Sequence, residues 1–86
     1  MRLSDVEHAF EWAGILFREL TLCCLPDEQF VRDMDSLMAA AQRVLTIVQK
    51  ATGLPRNKSI EITLEIMQNK DKAKAFIREN VQMFAS

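Results

Sequence analysis

The chain has 86 residues, 49% of them hydrophobic, with eleven basic against twelve acidic side chains and a formal net charge of −1. That length makes a single helical domain, 1–86, of a size that hides only about 60–65% of its unfolded surface, so a lone monomer has a thin margin of stability. The near-neutral balance weighs against a protein whose affinity comes chiefly from phosphate contacts, and no run reaches the roughly 20 apolar residues of a membrane span.

Other stabilising devices are missing from the sequence. Cys23 and Cys24 are adjacent, which strains any disulfide between them. His8 is the only histidine and no C-x-x-C occurs, so neither a metal nor a cofactor is expected. Self-association is the remaining remedy for a small core, and a homodimer is the expected state. Asp5, Glu7 and Glu11 interrupt the N-terminal stretch, which therefore does not read as a signal peptide. With free thiols, the expected location is the cytoplasm.

Two glycines and two prolines punctuate the chain. Ser4 followed by Glu7 gives an S-x-x-E capping box, and Asp5 adds charge suited to the positive end of a helix. Val6, Ala9, Phe10, Ala13, Leu16, Phe17, Leu20 and Cys24 then recur at helical spacing, which predicts a first helix over 4–24. Leu25-Pro26 closes it, because the residue before proline disfavours the α region.

Pro26 suits the start of a second helix, with Asp27 and Glu28 in its first turn. Phe30, Met34, Leu37, Ala41, Val44, Val48 and Ala51 follow with spacings alternating between four and three over about three heptads. Val31, Met38 and Leu45 widen this seam into a stripe that suits a bundle core. The expected helix is 27–52, ended by Gly53 in a left-handed conformation.

The last third reads two ways. Ile60, Ile62, Leu64 and Ile66 alternate with polar residues as in a half-buried strand. Ile60, Leu64 and Met67 also keep helical spacing, with Asn57 or Ser59 available as an N-cap. A lone strand has no partner except its copy in a dimer, so a helix over 57–68 is preferred. Asn69-Lys70-Asp71 marks a break, and Ala73, Phe76, Ile77, Val81 and Phe84 define a fourth helix over 70–84. The expected fold class is all-α: a small four-helix bundle, dimeric.

Chemistry is sparse. His8 has no partner at catalytic spacing, and Cys23 and Cys24 fall at a helix C-terminus whose negative end disfavours a thiolate. Cys24 is in phase with the apolar stripe and reads as a small core residue. No phosphate loop or nucleophile elbow occurs, so an enzyme is not expected. Lys70, Lys72, Lys74 and Arg78 read as a solvated basic face.

Hydrophobicity without an assigned partner is concentrated on the first helix. Ile15 and Leu22 point away from its core face and Trp12 lies on the flank. A helix apolar almost all round is either central in a bundle or covered on a second side by a partner. Trp12, Ile15, Phe17 and Leu22 are therefore the candidate protein-interface residues, with Arg18 and Glu19 at a polar rim. The implied activity is that of a small non-enzymatic adaptor, inhibitor or regulatory protein.

An alternative comes from Ala51-Thr52-Gly53-Leu54-Pro55-Arg56. This stretch resembles the turn between the two motif helices of some winged-helix transcriptional regulators, where A-T-G-L-P separates them. The resemblance implies a dimeric helix-turn-helix DNA-binding regulator using residues 46–67, with Arg56, Asn57 and Lys58 on nucleic acid. The chain departs from that pattern in two places. Ser59 stands where an apolar residue is expected, and Glu61 and Glu65 replace the Arg, Asn or Gln of a reading helix.

Overall fold

A computed structural model describes residues 1–22 and 24–85. Four α-helices follow one another: α1 (Leu3–Leu22), α2 (Asp27–Thr52), α3 (Arg56–Gln68) and α4 (Lys70–Glu79), with a closing 3₁₀ turn at Val81–Met83. The class is all-α as expected, and residues 59–67 are helical rather than extended.

The N-terminus of α1 is held differently from the expected capping box. Ser4 and Glu7 lie inside the helix. The Leu3 N–H donates to Ala85 O at 2.6 Å and the Ala85 N–H to Met1 O at 2.7 Å. These bonds make a parallel bridge between Arg2 and Ala85 that ties the two ends of the chain together. Helix α1 runs to Leu22 among the described residues, ending before the expected residue 24. The turn before Pro26 places Cys24 outside the helix and exposed, which corrects its expected core position. Cys23 lies outside the described residues.

Helix α2 begins after Pro26, with the Phe30 N–H bonded to Pro26 O at 2.8 Å. It ends at Gly53, whose φ of 69° is the left-handed cap expected, and the Gly53 N–H reaches Gln49 O. Helix α3 is capped by Pro55 and not by Asn57 or Ser59. Ser59 is fully buried, its hydroxyl donating to Leu54 O at 3.4 Å, and the neighbouring Thr63 hydroxyl donates to Ser59 O at 2.8 Å. Asn69 separates α3 from α4 and accepts the Asp71 N–H at 2.8 Å, an N-cap at the expected break.

Helix α4 ends at Glu79 rather than at 84. The Asn80 side chain donates to Phe76 O at 2.9 Å and closes the last turn. The chain then folds over the 3₁₀ turn, and Phe84 is buried. The core gathers Val6, Phe10 and Leu16 of α1, Val44, Ile47 and Val48 of α2, Ile66 and Met67 of α3, Phe76 of α4, and Phe84. Phe10 and Phe76 meet as a tilted ring pair at 5.7 Å.

Helices α1 and α2 form an antiparallel hairpin. Asp5 and His8 lie beside Thr46 and Arg43, while Trp12 lies beside Ser36 and Ala39. Helix α3 packs on both arms, and α4 packs on α1 and α3. With 26 residues, α2 spans about 39 Å at ~1.5 Å per residue, close to the 41 Å length of the molecule. The 13 residues of α3 reach about half that distance.

This mismatch corrects the reading of the second-helix seam. Every buried residue of α2 lies at Ala40 or beyond. Phe30, Val31 and Met38 are exposed, and Met34 and Leu37 only half-covered. The seam is satisfied where α3 reaches it and open where α3 does not.

Candidate interaction surface

The site begins with α1, because its register sets which residues the bundle can use. Val6, Ala9, Phe10, Ala13, Gly14 and Leu16 are buried, which turns the opposite arc outward. On that arc Trp12 is 54% exposed, Ile15 40% and Leu22 80%. Spacings of three and seven put Ile15 beside both Trp12 and Leu22, so the three residues share one face. Glu19, four residues after Ile15, is half-buried within that face and not at its rim.

Trp12 lies over a shallow cleft between α1 and α2, lined also by His8, Ala9, Ser36, Ala39 and Arg43. The small side chains of Ser36 and Ala39 leave this cleft open beside an indole with one flank in water. Aromatic side chains in that setting carry a large apolar area at low conformational cost.

Phe17 and Arg18 fall elsewhere. Phe17 is half-buried and packs against the core cluster, on the other side of α1 from Trp12. The Arg18 guanidinium folds back over Gly14, where an added Cβ would meet Nη1 at 3.1 Å. It lines a cleft towards α3 and α4 with Glu7, Glu11, Lys70 and Lys74 over a floor of Phe10 and Ile77. Of the six residues singled out on α1, four share the outer face, and Phe17 and Arg18 belong to its inner and α4-facing flanks.

The α2–α3 turn carries a left-handed Gly53, and Ser59, at the position where an apolar residue was expected, is buried. Arg56, Asn57 and Lys58 are all exposed at the start of α3. Lys58 Nζ lies 3.7 Å from Glu61 Oε2, which offsets part of its charge. Further along, α3 exposes Ile60, Leu64 and Glu65. A surface with this acidic and apolar content offers a phosphate backbone little beyond the first turn.

Among the described residues, no group of three or more His, Cys, Asp or Glu could hold a metal ion, and no helix is long and apolar enough to cross a membrane. Sequence reasoning missed the exposure of Phe30, Val31 and Met38 on α2. The available signal was length: an apolar stripe of about six turns cannot be covered by following helices of three or four. Comparison with family models, curated proteins and solved structures gives no match for this chain.

Proposed function

We propose that this protein acts by protein–protein contact, as a small non-enzymatic adaptor, inhibitor or regulator of the cytoplasm, through the outer face of α1. The observation that carries this reading is the joint exposure of Trp12, Ile15 and Leu22 on one face of a well-packed helix. None of the three belongs to the buried cluster on the opposite arc of α1. An exposed apolar face of this kind suits a partner helix or groove that buries Trp12 as its anchor.

The test is affinity capture with the wild-type chain, Trp12→Ala and Leu22→Asp as parallel baits. A partner retained by the wild type and lost by both variants supports the reading. Equal retention by all three baits contradicts it. The helix-turn-helix alternative has less support, given the Lys58–Glu61 pair and the exposed Ile60, Leu64 and Glu65. It predicts a mobility shift on mixed DNA that weakens steeply with salt and with charge reversal at Arg56 and Lys58; a shift of that kind would replace the present reading.

A further inference from the structure

Val31, Met38 and Leu45 stand seven residues apart along one line of α2. Leu45 is 5% exposed, whereas Met38 is 65% and Val31 61% exposed. Among the described elements, α2 packs substantially on α1 and α3 alone. This one line is thus closed towards the α2–α3 turn and open towards the start of α2. On α1, Phe10 and Leu16 are buried, and Phe17 is half-covered against the core cluster.

The connected end of the hairpin is therefore a two-helix layer whose second layer is missing. Phe30, Val31, Met34 and Met38 form its α2 side, with Arg32, Asp33 and Asp35 falling between these positions and off the stripe. Two helices cannot enclose a stripe of this width, whereas a second pair laid across them can.

The surface area indicates how much is uncovered. The chain exposes 5882 Å² at 9.9 kDa, against about 5200 Å² for a compact monomer of that mass. Its radius of gyration is 13.1 Å, against about 12 Å for a compact domain of this length. The excess of roughly 700 Å² belongs to the whole chain, with the hairpin end one contributor, and it is of the order of the ~800 Å² that each partner contributes to a stable interface of standard size.

We infer that the occupant of this open layer is a second copy of the chain, with two hairpin ends stacked face to face about a twofold axis into an intermolecular four-helix layer. A copy supplies what is absent, a two-helix layer with the same width of apolar face, and a twofold contact requires only that the patch match itself. Antiparallel stacking sets the α3–α4 end of each copy beyond the hairpin tip of the other, which avoids overlap of the thick ends. A net charge of −1 per chain opposes this association only slightly.

The dimer itself does not depend on the functional reading, whereas its bivalence rests on that reading. Trp12, Ile15 and Leu22 lie on the side of α1 away from Phe17 and remain uncovered in such a dimer. The assembly then displays two α1 faces and is a bivalent binder, in which linkage of two sites strengthens attachment to a repeated or dimeric partner.

Light scattering during size exclusion, with sedimentation equilibrium, tests the dimer. The wild type and Trp12→Ala are expected at twice the 9.9 kDa chain mass. Met38→Glu and Val31→Lys are expected to raise the dissociation constant about thirtyfold or more, since each sets a charge in the buried stripe. Both positions are exposed in the single chain, so the helical circular dichroism should be unchanged. Hydrogen exchange should show protection of residues 28–41 that grows with protein concentration. A wild type that stays monomeric overturns the inference, as does a dimer that survives both α2 substitutions or is broken by Trp12→Ala alone. Failure of the capture experiment with an intact dimer would instead remove the α1 reading and leave this one standing.

Discussion

Phe10 is buried with its ring against Phe76, whereas Trp12, two residues on, keeps more than half its surface in water. Truncating each to alanine separates core from surface. Phe10→Ala should cost about 3–5 kcal/mol, a large share of the stability of so small a domain. Trp12→Ala should stay within about 0.5 kcal/mol of the wild type, as an exposed substitution does. Urea denaturation followed by circular dichroism measures both, and a Trp12→Ala loss of core size would mean that Trp12 is structural. Gly53 is the other residue with a defined cost. Its φ of 69° is disfavoured for L side chains, while a Cβ added there would meet nothing within 4 Å. Gly53→Ala should therefore cost about 1 kcal/mol from backbone conformation alone, and Gly53→Asn less, because asparagine tolerates that region. An equal loss for both substitutions would point to a packing clash instead.

At the level of elements, the chain's own punctuation explains most of what could be read in advance. Gly53 and Asn69 end and start helices by local bonds, so their effect is visible in sequence. The start of α1 depends on contacts between residues some eighty positions apart, which no local signal announces, whereas α4 is closed locally by Asn80. Ala85 bonds to Met1 and Leu3, and Phe84 enters the core after Asn80 has closed α4. This C-terminal strap is expected to support α1. Phe84→Ala should destabilise the fold by about 3 kcal/mol and speed hydrogen exchange at the first turns of α1 before that of α2. Uniform exchange changes in both helices would show that the strap acts only through global stability.

For the molecule as a whole, the decisive quantity is the difference in length between α2 and the helices that follow it. Apolar periodicity identifies a face that wants covering, and it carries no statement of what covers it. Phe30, Met34 and Leu37 share the seam of Val44 and Val48, yet only the latter pair is buried, because α3 and α4 are confined to one end of the hairpin. On α1 the outward turn of Trp12, Ile15 and Leu22 was legible from spacing, since it depends only on the register of one helix. Phe17 and Arg18 were not, because the placement of α3 and α4 decides their surroundings.

Trp12 is the only tryptophan and the chain has no tyrosine, so its emission, with that of the added protein alone subtracted, reports the α1 face. The role of that face is tested most directly by following the emission as a protein recovered by wild-type bait, and not by Leu22→Asp bait, is added back to the purified chain. A saturable shift to shorter wavelength is expected, as the half-exposed indole leaves water, with no shift when the same protein meets Leu22→Asp. A partner that binds tightly while the emission stays where it was would contradict the proposal, because the α1 face would then play no part in the contact.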